Sequence, residues 1–323
     1  MSKLRVAVLY GGRSGEHEVS LNSAESIIKA MDPAKYEVER IFISKTGRWE
    51  PRSISPEPGA NAGIDVVFPV LHGTFGEDGT VQGLLELADL PYVGAGVLAS
   101  AVSMDKEMMK RVCAASGLPV VEYFVLRHGH AGTHQHFPLP IFVKPANLGS
   151  SVGISKVKSH HEMEAAKELA WQFDRKVIVE RGITGREFEC SVLGNESPKA
   201  SLPCEILPSR DFYDYEDKYL LNKAQTVVPA DLTAEQTEEI QRLAIACYQA
   251  VECEGMARVD FLLEAASGKF YINEINTIPG FTSISMYPKM WEASGLEYSV
   301  LIDRLIELAL ERHRVRSAMR YSR

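Results

Sequence analysis

Short apolar runs that alternate with helical segments are the feature that most limits the folds open to this chain. Residues 6–10, 38–44 and 66–71 have the composition of buried strands, and Ser20 is a candidate N-cap for a helix between the first two. This strand–helix–strand order predicts a parallel sheet within an α/β domain. The 323 residues exceed the length of a typical domain, so we expect two or three domains.

Charge and apolar pattern exclude several classes of protein. The chain has 35 Lys and Arg residues against 43 Asp and Glu residues, and its net charge of −8 disfavours nonspecific nucleic-acid binding. No apolar run approaches the roughly 20 residues that cross a bilayer. The first apolar run is also too short for a secretory signal peptide. Five scattered cysteines without a C-x-x-C pair are typical of reduced thiols, so we expect a cytoplasmic protein without membrane or nucleic-acid partners.

Two predicted strands near the C-terminus, joined by a hairpin at residues 265–269, carry the strongest chemical pattern. Strand side chains alternate between faces, so Arg258 and Asp260 share a face, as do Glu274 and Asn276. If the strands pair, these four polar side chains converge on one side of the sheet.

Two carboxylates and an amide oxygen are hard ligands that suit Mg²⁺, and an arginine beside them would hold a phosphoryl group or a developing oxyanion. A solvated sheet face with a surface ion pair is the alternative for such a pattern. The sequence Asn276-Thr-Ile-Pro279-Gly280 follows at once and offers a backbone N–H in a tight turn, which favours the functional interpretation.

A second motif, Lys144-Pro-Ala-Asn-Leu-Gly149-Ser150-Ser151-Val-Gly153, follows a predicted strand directly. Small residues let backbone N–H groups approach and cradle phosphates, and Lys144 would add a positive charge. It is not a P-loop, in which the lysine follows the glycines. An ordinary flexible hairpin loop is the alternative.

A third motif, at residues 11–20, ends the first predicted strand, where open α/β sheets bind ligands. Glu16 there is a candidate partner for an ammonium group, although acidic residues also favour helix N-termini for electrostatic reasons. Residues 94–99 match a dinucleotide fingerprint but follow only a very short strand. The histidines of residues 128–136 read as a solvated loop, because no carboxylate or cysteine completes a metal site.

Together these motifs resemble the D-alanine–D-alanine ligases of the ATP-grasp superfamily, and the resemblance covers nearly the whole chain. The segments that carry it are residues 11–21, 72–79, 104–106, 144–153, 180–187, 212–219 and 258–286. The resemblance implies an α/β ATP-grasp architecture of three α/β domains, with ATP held between the central and C-terminal ones. The implied domains are residues 1–97 with the first D-alanine site, 98–186 with the glycine-rich loop, and 187–323 with the Mg²⁺ sites and the lid loop.

The resemblance also assigns roles to residues of this sequence. Catalytic roles fall on Glu16, Ser151, Tyr219, Arg258, Gly280 and Ser285. D-Alanine contacts fall on Glu16, His72, Lys218, Arg258, Gly280, Ser285 and Met286. ATP contacts fall on Lys106, Lys144, Gly149, Ser150, Ser151, Glu180, Arg181, Ile183, Glu187, Lys218, Asn273 and Glu274. Metal ligands are Asp260, Glu274 and Asn276, and the lid is residues 212–219.

The implied activity is ATP-dependent joining of two D-alanine molecules through a D-alanyl phosphate, for peptidoglycan precursor synthesis. ATP is the co-substrate, two Mg²⁺ or Mn²⁺ ions are the implied metals, K⁺ is a candidate monovalent cation, and the implied assembly is a homodimer. Asn147-Leu148 and Arg181-Gly182 depart from the commonest residues of such ligases, at places that contribute mainly backbone.

Four alternatives remain open from the sequence. A D-alanyl-D-lactate or D-alanyl-D-serine ligase is the nearest, and Tyr219 argues for the dipeptide product because lactate-making relatives lack it. Another ATP-grasp carboxylate–amine ligase is the second. A noncatalytic nucleotide-binding protein would require lost metal ligands, and an oxidoreductase rests only on residues 94–99.

Overall fold

A computed structural model describes residues 3–130, 136–150, 152–207, 225–282 and 284–321. These residues form three sheets and eight α-helices. The strands of the first sheet are β1 (Leu4–Gly11), β2 (Tyr36–Ile43), β3 (Trp49–Glu50) and β4 (Val66–Val70). Their order is β3-β2-β1-β4, with β1 parallel to both neighbours. The three strands predicted for the N-terminal region are therefore confirmed, as is their parallel pairing.

The other two sheets are antiparallel and are formed by strands later in the chain. The second contains β5 (Tyr123–Arg127), β6 (Ile141–Pro145), β7 (Ser155–Val157) and β8 (Lys176–Arg181), in the order β5-β8-β6-β7. The third contains β9 (Gly185–Gly194), β10 (Lys199–Ala200), β11 (Cys204–Leu207), β12 (Gln225–Val227), β13 (Gly255–Glu264) and β14 (Phe270–Asn276). Its main order is β12-β11-β9-β13-β14, which confirms the predicted hairpin between β13 and β14.

Helices cover the sheets and bury their apolar faces. They are α1 (His17–Ala30), α2 (Thr80–Leu87), α3 (Val97–Met104), α4 (Lys106–Ala115), α5 (Met163–Trp171), α6 (Ala234–Ala250), α7 (Met286–Ala293) and α8 (Tyr298–Ser317). The first sheet packs on α1 and α8 through one face and on α2 through the other. The second sheet packs on α5, and the third packs on α3, α4 and α6. No helix of the described ranges is long and apolar enough to cross a membrane.

Helix α8 ties the end of the chain to its beginning. Its buried residues Leu301, Leu305 and Ile306 share one core with Val6 and Phe68 of the first sheet. The helix continues to Ser317 and so includes basic residues near the end of the chain. Arg316 in this last part forms an ion pair with Glu86.

Helices α3 and α4 are separated by the single residue Asp105. Asp105 has an extended backbone between α3 and α4, and its side chain accepts a hydrogen bond from the Met108 N–H and caps α4. Asp105 also pairs with Lys176 of β8, which fixes the start of α4 against the second sheet. Lys106 is therefore the first residue of α4, next to that sheet.

The assignment of Ser20 as a helix N-cap is wrong. Helix α1 begins earlier, at His17, and Ser20 is a fully buried residue within it. Its hydroxyl donates to the Val70 carbonyl and accepts the Gly11 N–H at 2.8 Å, so it connects the ends of β1 and β4. At the start of α6, Thr233 and Gln236 form a capping box.

Replacing Ser20 by alanine should destabilise the protein by about 1–3 kcal/mol, because the buried Gly11 N–H loses its acceptor. Urea unfolding of the purified variant measures this change. The control is Asn22→Ala on the exposed side of the same helix, which should change stability by less than about 0.5 kcal/mol. Equal effects of the two substitutions would contradict the role of the Ser20 hydroxyl.

Candidate active site

A cleft between the second and third sheets contains most of the residues predicted to bind ATP. Its lining includes side chains from β6, β8, β9, β13 and β14 and the glycine-rich loop. The predicted residues that line it are Lys106, Lys144, Gly149, Ser150, Glu180, Arg181, Ile183, Glu187, Asp260, Asn273 and Glu274. Residues far apart in sequence therefore meet in one cleft, as the prediction required.

The hinge between the two sheets runs from β8 directly into β9. Arg181 contacts Glu122 through Nε at 2.8 Å and Glu264 through Nη1 at 2.6 Å, so it joins the second sheet to the β13–β14 hairpin. Only glycine can stand at position 185 without a backbone shift, because a β-carbon there would lie 1.8 Å from the Leu263 carbonyl oxygen. The departure from common family residues at Arg181 thus adds an ionic connection across the hinge.

Two lysines project into the cleft from different elements. Lys106 Nζ donates to the Leu148 carbonyl oxygen at 2.7 Å and lies 3.8 Å from Glu274 Oε2. Lys144 Nζ lies 2.6 Å from Glu180 Oε2 and 3.4 Å from Asn273 Oδ1. Both ammonium groups therefore sit where anionic oxygens of a ligand would compete with protein oxygens.

The β13–β14 hairpin places the predicted polar group on one side of the sheet. Arg258 lies opposite Asn276 and Asp260 lies opposite Glu274 in the strand register. The register then shifts between Asp260 and Phe261, which leaves Asn273 as the extra residue of a β-bulge. Because of this bulge, Asn273 and Glu274 both line the cleft although they are consecutive.

Arg258 is held between two carboxylates. Its guanidinium donates to both Asp260 oxygens at 2.7 Å, and its Nε lies 3.3 Å from Glu189 Oε2. Burial alone would lower the pKa of Arg258, but the carboxylates of Asp260 and Glu189 outweigh burial and raise it well above its ordinary value. The guanidinium is thus a fixed cation beside the predicted metal ligands.

Glu16 joins the N-terminal motif to the glycine-rich loop. Ser150, which has a positive φ of 55°, donates its hydroxyl to Glu16 Oε1. Gly73 has a positive φ of 73°, which favours glycine, and a β-carbon there would lie 2.7 Å from Glu16 Oε2. The Glu16 N–H in turn donates to the Ser14 hydroxyl at 2.9 Å. The N-terminal motif and the glycine-rich loop therefore share a direct contact.

His72 is a neutral, buried link between the N-terminal sheet and the loop after β14. Its Nδ1 lies 3.0 Å from the Ile278 carbonyl oxygen, which can only accept, so Nδ1 carries the proton. Its Nε2 then accepts the Ser23 hydroxyl at 3.1 Å, and Ser23 accepts the Phe281 N–H at 3.3 Å. Burial lowers the pKa of His72, although the Glu16 carboxylate opposes this shift.

The loop after β14 brings two predicted substrate residues together. Ser285 Oγ accepts the Thr282 N–H at 3.0 Å and lies so close to Gly280 that a β-carbon on Gly280 would approach it to 2.8 Å. Met286 opens α7, and its sulfur accepts a contact from Cys204 Sγ at 3.5 Å. Gly280 and Ser285 are thus neighbours in space, while Met286 packs partly beneath β11.

Several predicted site residues lie outside the described ranges. They are Ser151, Lys218, Tyr219 and the rest of the predicted lid, residues 212–219. His134 also lies outside, while His128, His130 and His136 are exposed. Among the described residues no three His, Cys, Asp or Glu side chains form a metal-binding group. The predicted metal set contains only two such residues and depends on the amide of Asn276 as its third ligand.

Three charged residues of the site were not predicted, although the sequence contained signals for them. Glu189 follows Glu187 by two positions in β9 and therefore shares its face. Lys110 follows Lys106 by one helical turn in α4. Glu77 lies within the motif at residues 72–79, where its Oε1 accepts the Gly73 N–H at 2.8 Å.

Glu77 is a carboxyl group in an unfavourable place for an anion. Burial and the nearby Glu16 carboxylate raise its pKa to about 8, while the Gly73 N–H acts in the opposite direction. The folded protein therefore keeps the Glu77 proton at pH values where the unfolded chain has lost it.

The stability of the metal-free protein should therefore fall as pH rises from about 5 to about 8, because the unfolded state gains by ionising Glu77 first. Glu77→Gln should remove about 2 kcal/mol or more of this fall, since one pKa unit corresponds to about 1.4 kcal/mol. Urea unfolding at several pH values, with a chelator present, measures the effect. The control is Glu57→Gln at an exposed site, and parallel curves for wild type and Glu77→Gln would contradict the assignment.

Comparisons with known proteins agree with this arrangement. The model of the D-ala D-ala ligase C-terminus matches residues 112–307, and that of the N-terminus matches residues 5–61 and 52–95. A D-alanine–D-alanine ligase of Solibacter usitatus is 68% identical over 99% of this chain and 100% of the relative. One of Thermoanaerobacter sp. (strain X514) is 50% identical over 97% of this chain and 98% of the relative.

Solved structures are similar over the same extent. The D-alanine–D-alanine ligase of Coxiella burnetii has a TM-score of 0.88 and 42% identity, covering 98% of this chain and 97% of that one. VanG D-Ala:D-Ser ligase of Enterococcus faecalis has a TM-score of 0.86 and 34% identity, covering 95% of this chain and 100% of that one. With both family models matched and full-length relatives of this similarity, the chain belongs to the D-alanine–D-alanine ligase family.

Proposed function

We propose that this protein is an ATP-dependent ligase that joins two D-alanine molecules into D-alanyl-D-alanine, for peptidoglycan precursor synthesis. The observation that carries the proposal is the contact between Ser150 of the glycine-rich loop and Glu16 of the N-terminal motif. It couples a candidate ammonium site to the loop that would close over ATP phosphates. The family membership and the lysine-lined cleft support the same function.

The nucleotide would occupy the cleft between the second and third sheets. Lys106 and Lys144 would contact phosphate oxygens through charge-assisted hydrogen bonds. The hinge after Glu180, including Ile183, would lie against the adenine, and Glu187 would hold the ribose hydroxyls. Gly149, Ser150, Arg181, Asn273 and Glu274 complete the proposed ATP-binding set, with Ser151 and Lys218 outside the described ranges.

The donor set of Asp260, Glu274 and Asn276 fits Mg²⁺ or Mn²⁺. All three supply oxygen atoms from one face of a single hairpin, and Asn276 Nδ2 already lies 3.1 Å from Asp260 Oδ2. Two ions bound here would neutralise charge that develops on the transferred phosphoryl group. Asp260 would have to share its carboxylate between metal and Arg258, and Glu189 remains beside the guanidinium in that arrangement. K⁺ is a further proposed cation, for which the described residues offer no assigned ligands.

The first D-alanine would place its ammonium on Glu16, with His72 behind it as a fixed neutral group. Its carboxylate oxygen attacks the γ-phosphorus of ATP, ADP leaves, and an acyl phosphate results. The amine of the second D-alanine, after losing a proton, attacks the acyl carbon and inorganic phosphate leaves. Arg258 and the Gly280 N–H would stabilise the negative charge on the acyl oxygen during this attack.

The second D-alanine would lie near Ser285 and Met286, with Lys218 proposed for its carboxylate. Ser151 and Tyr219 are proposed to link with Glu16, and the segment 212–219 to close over the cleft, because an acyl phosphate hydrolyses in open water. Closure would keep water from the intermediate until the amine arrives.

A D-alanyl-D-serine product is the second candidate. VanG, named as a D-Ala:D-Ser ligase, is similar over 95% of this chain. The two activities share the cleft and differ at the second amino-acid site. Tyr219, the residue that favours the dipeptide, is the proposed discriminator.

Assembly, location and domain limits are proposals at the same level. We place the protein in the cytoplasm as a homodimer. All five cysteines are buried and without a disulfide, as a reducing compartment would allow. The proposed domains are residues 1–97, 98–186 and 187–323. Each proposed domain contains one sheet, but two features cross the limits. Strand β9 of the third sheet begins at Gly185, before the limit at residue 187, and α3 and α4 pack on the third sheet although they lie in the second domain.

The first test measures ADP release and identifies the product by mass, with ATP and Mg²⁺ present. D-Alanine, L-alanine, and D-alanine mixed with D-serine or D-lactate are the substrates. We expect release that requires D-alanine, and D-alanyl-D-alanine as the main product even in the mixtures. A mixed product as the main species would favour the second candidate, and no D-alanine-dependent release would overturn the proposal.

Replacing Glu274 by glutamine should lower kcat/KM by about 100-fold or more, because a carboxylate proposed to hold metal becomes a neutral amide. Steady-state ADP release with increasing Mg²⁺ measures the loss and its dependence on metal. The same substitution at exposed Glu292 is the control and should leave turnover unchanged. Near-normal turnover of Glu274→Gln would reject the metal assignment.

A further inference from the structure

Lys110 is a completely buried lysine behind the nucleotide cleft. It lies in α4 one turn after Lys106, with no side-chain surface exposed to solvent. Its Nζ is 3.0 Å from Glu180 Oε1 and 5.9 Å from the centre of the Tyr123 ring. None of the proposed contacts with ATP, metal or amino acid uses this side chain. Burying an ammonium group costs free energy, so a charged partner must offset the loss of hydration.

Glu180 lies between Lys110 and Lys144 and contacts each with a different oxygen. Oε2 faces Lys144 Nζ at 2.6 Å on the cleft side, and Oε1 faces Lys110 on the buried side. Only 3% of the Glu180 side chain is exposed. Burial would raise the pKa of Glu180, but the two ammonium groups outweigh burial and lower it to about 2. Burial also lowers the pKa of Lys110, and the Glu180 anion opposes that shift.

This arrangement sets the charge that the cleft offers to a ligand. If Lys110 were neutral or absent, Lys144 would be the only cation in contact with the buried Glu180 carboxylate. The pair would then have no net charge to offer to an anionic ligand. With Lys110 charged, the three groups carry one net positive charge. Lys144 can then exchange Glu180 for another anion without leaving the carboxylate buried and unpaired.

We infer that Lys110 is a positioning residue that holds Glu180 from behind and so releases Lys144 to bind a phosphate group of the nucleotide. The inference rests on the proposed binding of ATP in this cleft. It concerns phosphate affinity only, because Lys110 is separated from the cleft by Glu180. A ligand with the same base and sugar but no phosphate should therefore not depend on Lys110.

The test compares ATP with adenosine by isothermal calorimetry in Mg²⁺ buffer without D-alanine. Lys110→Met keeps the length and volume of the side chain and leaves Glu180 paired with Lys144, so no charge is left alone. The Kd for ATP should rise about tenfold, equivalent to about 1.4 kcal/mol. The Kd for adenosine should stay within about twofold of the wild-type value. In steady state, KM for ATP should rise more than kcat falls.

A double variant separates charge balance from packing. In Lys110→Met/Glu180→Gln the competing anion is also removed, so Lys144 is free for phosphate. The Kd for ATP divided by the Kd for adenosine should then return to within about threefold of the wild-type ratio, and the adenosine Kd corrects for any change that Glu180→Gln makes at the adenine site. Lys29→Met, on an exposed side chain of α1, is the control for loss of a lysine and should change neither Kd. Lys110→Gln replaces Lys110→Met if the latter does not fold, with the same expectation.

Equal weakening of ATP and adenosine would overturn the inference, because it would mean that the substitution distorts the adenine site. Unchanged ATP affinity in a folded single variant would overturn it as well. So would a double variant in which the ratio of the ATP Kd to the adenosine Kd stays as high as in the single variant. If the wild-type protein binds neither ATP nor adenosine, the proposed function fails together with the inference. Binding of ATP by wild type with no effect of Lys110→Met refutes the inference alone.

Discussion

The pairing of β13 with both β9 and β14 is the constraint on which the rest of the site depends. One face of β13 packs Val259 and Phe261 into the core beneath α6, so the strand cannot rotate or slip by one residue without burying charge. The other face then carries Arg258 and Asp260, of which Asp260 lines the cleft. The bulge opposite Asp260 adds Asn273 to the same surface, which a regular hairpin would have turned away.

A second constraint comes from the way the ends of the chain meet. Helix α8 packs on the first sheet, and Tyr298 at its start donates to the Phe281 carbonyl at 2.9 Å. Phe281 also binds Ser23, which contacts His72. The loop that carries Gly280 is therefore attached to the N-terminal sheet, and the groups proposed for amino acid and acyl oxygen belong to one connected polar structure. A fixed geometry of this kind orients reacting groups towards each other, which is a large part of catalysis when two molecules are joined.

The lysines and the arginine of the site are paired with protein carboxylates, which an anionic ligand could replace. Lys144 is held by Glu180, Arg258 by Asp260 and Glu189, and Lys106 lies near Glu274. A polyanionic nucleotide with its metal ions could replace these internal partners pair by pair. No charge would then be left unpaired in a low-dielectric site. The same balance explains why the cleft contains more acidic groups than binding of a phosphate alone would require.

Apolar periodicity and motif order are local properties of a chain, so the three N-terminal strands, the β13–β14 hairpin and the family could be predicted without coordinates. The motifs also predicted that Lys106, Lys144, Glu180, Asp260 and Glu274 belong to one site, and these residues do line one cleft. Tertiary structure decided what depends on contacts between distant segments: Ser20 bridges two strands instead of capping a helix, and Lys110 stands behind Glu180. Periodicity reports that a residue faces inward but cannot say which charge it meets there, because the partner comes from another part of the chain.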